Sequence, residues 1–319
     1  MHDVIIIGGS YAGLAAALQL GRARRSVLVI DSGRRRNRFA ASSHGFLGQD
    51  GATPESIAAK GRAEVLAYPT VQWRDAAVDD ARVDADGFVV RAGGEVHHAR
   101  RLVLATGVHD ELPAIPGIAE RWGSTIFHCP YCHGYELGLG RLGVLASGPP
   151  SFHSAALVAE WGARDQTTLF LHDAAEPDTE QLADLEARGI RIERERVAAV
   201  EGEAPAIDVR LQDGRTIPLD GLFVLPRTRP ATPFAEQLGC ELDTSPTGIF
   251  YKTDMMKATT VPGVFACGDA AMAYASVALV VGDGVRAGLS AHQSLVFGLA
   301  GADHRSAAER SSARSHMRT

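Results

Sequence analysis

The sequence predicts an α/β fold built on two strand–helix–strand units, and three observations lead there. A short apolar run, Val4 to Ile7, enters the turn Gly8-Gly9-Ser10-Tyr11-Ala12-Gly13 and then a helical run, Leu14 to Leu20, before a second apolar run, Ser26 to Ile30, ends at Asp31. The same order returns near residue 141, with Leu142 to Ala146, a turn at Ser147-Gly148-Pro149-Pro150, a helix from Phe152 to Trp161 and a strand from Thr167 to Leu171. Between the two stands His128-Cys129-Pro130-Tyr131-Cys132-His133-Gly134-Tyr135-Glu136. Apolar runs that do not alternate read as strands buried on both faces of a parallel sheet.

Each element follows in order. Gly8 permits the tight turn, Gly13 permits close helix packing, and the helix start faces a pyrophosphate. Ser10 stands where such turns carry their middle glycine and is small enough for backbone and phosphate to approach, with Ala12 beside it. Asp31, at the end of the second strand, is placed for a ribose hydroxyl pair. Residues 34–53 read as a loop. Its basic run, Arg34-Arg35-Arg36-Asn37-Arg38, is either solvated surface or a phosphate contact, and 42–48 is expected to run under the bound nucleotide. A helix is expected from Thr53 to Leu66, with Thr53 as N-cap, Pro54 in its first turn and Glu55 at its positive end. Val71 to Ala99 alternates as a β-meander with turns at 84–87 and 93–94. Arg101 to Gly107 is a buried strand ending in Ala-Thr-Gly, and 113–117 reads as a linker.

After the second unit, a helix is expected from Thr179 to Arg188, closed by Gly189, with strands at Ile190 to Val200, Ile207 to Leu211 and Leu222 to Leu225. The second turn is poor for a nucleotide. Ala146 stands at the first glycine position, and Pro149 and Pro150 remove two backbone donors a phosphate would use. The following strand ends in Leu171-His172-Asp173, and no arginine follows before Arg188, so a 2′-phosphate would meet Asp173 and Glu176 instead. Val261 to Asp269 is a strand running into Gly-Asp, and Val280 to Gly284 leads a helix to Phe297. Residues 301–319 are polar, without apolar periodicity, and read as a flexible tail.

Two cysteines three positions apart can close as a disulfide and reopen. The helix such a pair starts favours a thiolate at Cys129, and His133 stands where it could move a thiol proton at neutral pH. Zinc is the competing use of such a pair, but a structural zinc needs four ligands and Cys240 and Cys267 stand alone, so no metal is expected. Cys-Pro-Tyr-Cys is also the glutaredoxin signature, but there the pair comes near the N-terminus of a short fold, whereas here a nucleotide-binding unit precedes it. Tyr131 and Tyr135 read as packing residues. Glu136 reads as orienting His133 or capping the helix, and His128 as a strand-end residue bonded to backbone.

The chain has 319 residues, 45% hydrophobic and 22% charged, with a net charge of −6. These values suit a globular protein of two ordinary domains and disfavour nucleic acid as a partner. The first strand leaves no room for a signal peptide and no apolar run suits a membrane, so a cytoplasmic protein is expected.

Taken together, the Gly8–Gly13 turn, Asp31, Ala105-Thr106-Gly107, the central Cys-x-x-Cys, 220–224 and Val261 to Asp269 resemble, over residues 1–297, the low-molecular-weight thioredoxin reductase family of flavoproteins. The resemblance implies two Rossmann-like domains, the second inserted into the first. Residues 1–117 and 246–300 would bind FAD, and 118–245 would form a pyridine-nucleotide-type domain carrying the cysteine pair. It further implies FAD contacts from Gly8, Ser10, Ala12, Gly13, Asp31, Ala105, Thr106, Gly107, Gly268 and Asp269, the last reaching the ribityl chain, and it implies a homodimer. Two departures stand out. His133 replaces the family's aspartate after the second cysteine, and the second nucleotide turn is degraded. Both resemble the dithiol oxidases of the gliotoxin, holomycin and romidepsin pathways, which oxidise a small dithiol and pass the electrons to molecular oxygen. On that resemblance Cys129 takes the substrate thiolate, Cys132 faces the flavin and His133 is the base. A reductase fed by NAD(P)H or ferredoxin, and a flavin-bound redox sensor that does not turn over, are the competing readings.

Overall fold

A computed structural model describes residues 1–299. The stretch 301–319, expected to be a tail, lies outside the described residues. The chain begins β1 (His2–Ile7), α1 (Tyr11–Arg22), β2 (Val27–Asp31), α2 (Pro54–Leu66), β3 (Val71–Asp75), β4 (Val78–Asp84), β5 (Gly87–Ala92) and β6 (Glu95–Leu104). The strands β3, β2, β1 and the second half of β6 lie side by side in parallel. Val4 to Ile7 and Val27 to Ile30 are buried along their whole length, as continuous apolar runs require. The start of α2 is as expected, since Thr53 Oγ1 accepts the Ser56 amide at 3.1 Å and Pro54 opens the helix.

The expected meander holds for β4, β5 and β6, which pair antiparallel. Residues 71–75 depart from it. They form β3, which lies parallel to β2 on the opposite edge, because α2 is a crossover that returns the chain to the same sheet.

The chain continues as β7 (Val108–Glu111), α3 (Ile118–Arg121), β8 (Ile126–Phe127), α4 (Pro130–His133), β9 (Leu142–Leu145), α5 (Pro150–Val158), β10 (Thr167–Phe170), α6 (Thr179–Ala187), β11 (Arg191–Glu193), β12 (Val197–Glu201), β13 (Ile207–Leu211), β14 (Thr216–Leu219) and β15 (Gly221–Val224). A second parallel sheet has the order β11-β10-β9-β15-β8, and β12, β13 and β14 form an antiparallel excursion from it. Asp178 starts α6 with a capping box, its side chain accepting the Glu180 and Gln181 amides while Gln181 reaches back to the Asp178 amide.

The last elements are β16 (Arg227–Pro230), α7 (Phe234–Leu238), β17 (Leu242–Ser245), β18 (Gly248–Tyr251), β19 (Val264–Ala266) and α8 (Val277–Phe297). The strand β19 rejoins the first sheet beside β6, with Val264 opposite Leu102. The chain therefore leaves that sheet after Leu104 and returns at Val264, with the second sheet lying between in sequence. Where it leaves and returns, β7 and β16 pair antiparallel, Glu111 opposite Arg227 and Val108 opposite Pro230, inside a small sheet β17-β18-β16-β7. No sequence signal announces this sheet. Its strands are four residues long, and two of them meet across more than a hundred residues.

The helices α1, α2 and α8 cover one face of the first sheet, around Val4, Ile6, Leu20 and Val29. The other face buries Ile5, Ile7 and Leu28 against Phe88, Phe234 and Tyr251. Each fully buried aliphatic side chain contributes about 1.5–3 kcal/mol. The helix α8 lies directly on α1, because a Cβ at Gly284 would overlap the Ala12 carbonyl. Among the described residues no helix is long and apolar enough to cross a membrane.

Candidate active site

A cleft of about 520 Å³ opens where the first sheet meets the segment carrying the cysteine pair. Its floor is the β1–α1 turn. Gly8 has φ +100°, and a Cβ there would overlap the Ala105 carbonyl oxygen. A Cβ at Gly13 would overlap the Gly8 carbonyl, so only glycine lets α1 sit this close to its own turn. The Gly9 amide donates to Asp31 Oδ1 at 3.0 Å. Ser10, at the N-cap of α1, makes no side-chain cap bond, which leaves first-turn amides of the helix open.

Asp31, Ala105, Thr106, Gly107, Gly268 and Asp269 all line the cleft, as do Gly8, Ser10 and Ala12. Gly13 lies behind it, in contact with the turn. The Gly268 amide donates to Asp283 Oδ2 at 2.9 Å, and Lys257 Nζ stands 3.2 Å from the other Asp283 oxygen. This buried pair holds the Gly268–Asp269 turn, and no motif marked it in the sequence.

The basic loop is neither bare surface nor a free phosphate contact at Arg36. Its guanidinium forks onto Asp110, with Nη2 to Oδ1 at 2.6 Å and Nε to Oδ2 at 3.0 Å, and its Nη1 reaches Asp269 Oδ1 at 3.1 Å. Burial pushes the Asp269 carboxyl above the usual range, and Arg36 draws it partly back. Asn37 anchors the same loop by donating to the Tyr11 hydroxyl at 3.1 Å and to Ser43 Oγ at 3.3 Å.

Cys129 and Cys132 are joined as a disulfide, with their Cα atoms 5.3 Å apart. Cys132 lines the cleft, whereas Cys129 is not among its lining residues. Cys129 is the N-cap of α4, as expected, but that helix is a single turn. A 3₁₀ turn, Tyr135–Leu137, follows it and ends at Gly138 with φ +62°.

The His133 ring stacks on Phe127, centroids 4.3 Å apart. Both of its ring nitrogens are buried without a hydrogen-bond partner. Burial lowers its pKa, and the nearby Cys129 carbonyl and Glu136 carboxylate offset that only in part. Glu136 does not orient His133. It faces His44 instead, Nε2 to Oε1 at 3.4 Å. His128 directly follows β8, its ring 6.0 Å from that of Trp122, and burial followed by the charge of Arg36 pushes its pKa down to about 3. Tyr131 packs edge-on against Trp161, ring centroids 5.0 Å apart, although it is 69% exposed, whereas Tyr135 is 86% exposed and does not pack inward. Cys240 and Cys267 are buried free thiols, and among the described residues no cluster of three or more His, Cys, Asp or Glu is placed to hold a metal.

Residues 2–288 match the pyridine nucleotide-disulphide oxidoreductase family. The chain belongs to that family. Thioredoxin reductase tcpT of Claviceps purpurea is 34% identical over 311 residues, spanning 94% of this chain and 96% of the relative. The crystal structure of an oxidoreductase from Agrobacterium tumefaciens is 52% identical with a TM-score of 0.89, covering 93% of this chain and 99% of that one. The crystal structure of HlmI is 36% identical with a TM-score of 0.85, covering 98% and 97%.

The family's thioredoxin reductase-like members use FAD, and the first unit fits it. The open amides of α1 suit a pyrophosphate, Asp31 lines the cleft at the end of β2, and the Thr106 hydroxyl is buried without a partner. The protein is a flavin-dependent disulfide oxidoreductase, and FAD is its cofactor.

The second nucleotide unit of a family member would receive a pyridine nucleotide, and here its turn is occupied by its own groups. The Ser147 amide donates to Ser151 Oγ at 2.9 Å, and Pro149 and Pro150 have no amide hydrogen to offer. Arginines do reach the outer edge of this unit, from beyond β11, but Arg196 is bound to Asp173 at 2.6 Å and Arg194 to Glu176 at 3.0 Å.

Proposed function

We propose that the protein is an FAD-dependent dithiol oxidase that forms a disulfide in a small dithiol and passes the electrons to molecular oxygen. The observation that carries this reading is the contrast between the open first turn and the self-bonded second one, since electrons then enter through thiols and the Cys129–Cys132 disulfide. The resemblance of Cys-x-x-Cys-His-Gly-Tyr-Glu to the natural-product dithiol oxidases points the same way, and on the family resemblance the assembly is a homodimer.

Bound FAD supplies a two-electron acceptor that dioxygen can empty. The protein's own groups do the rest. A substrate thiolate attacks the Cys129 sulfur, and the S–S bond breaks with Cys132, which lines the cleft, leaving as a thiolate. A second substrate thiolate attacks the substrate sulfur of the mixed disulfide, and Cys129 leaves with the electron pair. The substrate departs as a disulfide and two protons stay behind. His133 is neutral at pH 7, because burial lowers its pKa, so it is free to take one of them. In sum, one dithiol and one dioxygen give one disulfide and one hydrogen peroxide.

The test is anaerobic mixing of the yellow protein with reduced dithiothreitol and, separately, with NADPH. Dithiothreitol should bleach the flavin, NADPH should not on that timescale, and Cys132→Ser should abolish the dithiol response. Rapid bleaching by NADPH, or a Cys132→Ser protein that bleaches normally with the dithiol, would replace this reading with a reductase or a different electron path.

A further inference from the structure

Oxidation of a dithiol releases two protons at the cysteine pair, and His133 can hold one. Its ring is poorly made even for that, since burial disfavours a proton there and the Cys129 carbonyl and the Glu136 carboxylate offset this only in part. A second acceptor in the same cleft completes the chemistry.

His44 lines that cleft together with Cys132 and His133. It comes from the loop between β2 and α2, while Glu136 comes from the 3₁₀ turn four positions after Cys132. The two side chains meet across the seam between the first unit and the pair-bearing segment, Nε2 to Oε1 at 3.4 Å. Asp50, from the histidine's own loop, faces its other nitrogen, Nδ1 to Oδ1 at 3.6 Å, and Ser42 Oγ lies 3.0 Å from Nε2. A proton arriving on His44 would therefore form a cation with a carboxylate at ion-pair distance from each nitrogen. His133, on α4, is near enough for the charge of His44 to oppose its own protonation. The ionisable groups facing His44 are thus Asp50, Glu136 and His133.

We propose that His44, held by Glu136 and Asp50, accepts the proton of the second substrate thiol, while His133 accepts the first. This rests on the dithiol-oxidase reading. In the first step the substrate S–H bond breaks, its proton goes to His133, and the new S–S bond forms at Cys129 as Cys132 leaves. In the second step the remaining S–H proton goes to His44, the substrate S–S bond forms, and the bond to Cys129 breaks. Bound FAD would supply the acceptor for the two electrons of the pair, and with dioxygen as the final oxidant the two protons and two electrons would leave as hydrogen peroxide.

Two histidines with separate steps make a sharp distinction in which species accumulates. Reduced dithiothreitol is the probe, and acid-quenched samples of the FAD-loaded protein are weighed by mass spectrometry for probe bound at Cys129. His44→Asn should turn over about ten-fold more slowly at pH 7 and accumulate the mixed disulfide, because attack proceeds and release stalls. The deficit should shrink towards pH 9, where a thiol with an ordinary pKa of about 8.5 ionises unaided. Glu136→Gln should show the same adduct to a smaller extent, whereas His133→Ala should be slow without accumulating it. A His44→Asn protein with unchanged turnover and no adduct overturns the assignment. So does one that loses its flavin, which would make the loop structural. A wild-type protein that forms no adduct and never turns over the probe removes the oxidase reading itself, and this inference with it.

Discussion

The two nucleotide-type units share a strand–turn–helix–strand order and a parallel sheet, yet their turns have opposite chemistry. In the first, glycine backbone at Gly8 and Gly13 brings α1 onto the turn, and Ser10 leaves first-turn amides uncapped. In the second, Ser151 consumes the Ser147 amide, two prolines withhold theirs, and the nearby arginines are bound by Asp173 and Glu176. The sheet depends on apolar runs that both units have. Anion binding depends on a few amides that only the first leaves free. A shared topology therefore says nothing of a shared ligand.

The largest expected effect breaks the contrast from the first unit. Gly8→Ala forces a Cβ into the Ala105 carbonyl at a positive φ, so flavin affinity should fall by at least about 100-fold, since roughly 3 kcal/mol of overlap and strain is enough. Flavin absorbance of the purified protein and titration with FAD read this out. Ala146→Gly, the matching position in the second unit, should leave flavin content unchanged. A Gly8→Ala protein as yellow as wild type would end the comparison.

A smaller effect approaches from the other side. Pro149→Gly with Asp173→Asn returns one amide donor and removes one repelling charge. Anaerobic flavin reduction by NADPH should then rise about ten-fold above the wild-type background, the worth of about one modest hydrogen bond. No rise at all would mean that the turn is not what excludes the nucleotide.

The smallest effect probes the seam between the units. His128 follows β8 of the second unit, and burial, with Arg36 of the first unit adding to it, keeps it unprotonated down to about pH 3 against an ordinary 6.5. Between those values the unfolded chain binds a proton that the native protein rejects, so stability falls as pH drops, by at most about 1.4 kcal/mol per pH unit for one histidine. Above the ordinary value this contribution is fully present. His128→Asn should flatten the acid limb of a Tm-against-pH curve, and an unchanged limb would show that the seam does not exclude the proton.

Much of this was legible in local pattern. The buried strands β1 and β2, the cap at Thr53 and the poverty of the Pro149–Pro150 turn each depend on residues a few positions apart. The seam was not legible. Nothing local in Arg36 points to Asp110 and Asp269, 74 and 233 positions away. Glu136 stands beside His133 in sequence, so the nearer partner was the natural expectation. The short 3₁₀ turn after α4 carries it to His44 instead.

The two units, the disulfide-capable pair and the donor-poor Pro149–Pro150 turn follow from the sequence alone, because periodicity, proline and glycine act on the backbone within a few residues. It took the folded chain to show that β7 and β16 pair where the chain passes between the two sheets, that Arg36 ties two distant carboxylates together, that both His133 ring nitrogens are buried without a hydrogen-bond partner and that His44 meets Glu136. Those outcomes depend on where long loops and separate sheets come to rest, and burial and charge then act across that packed seam rather than along the chain.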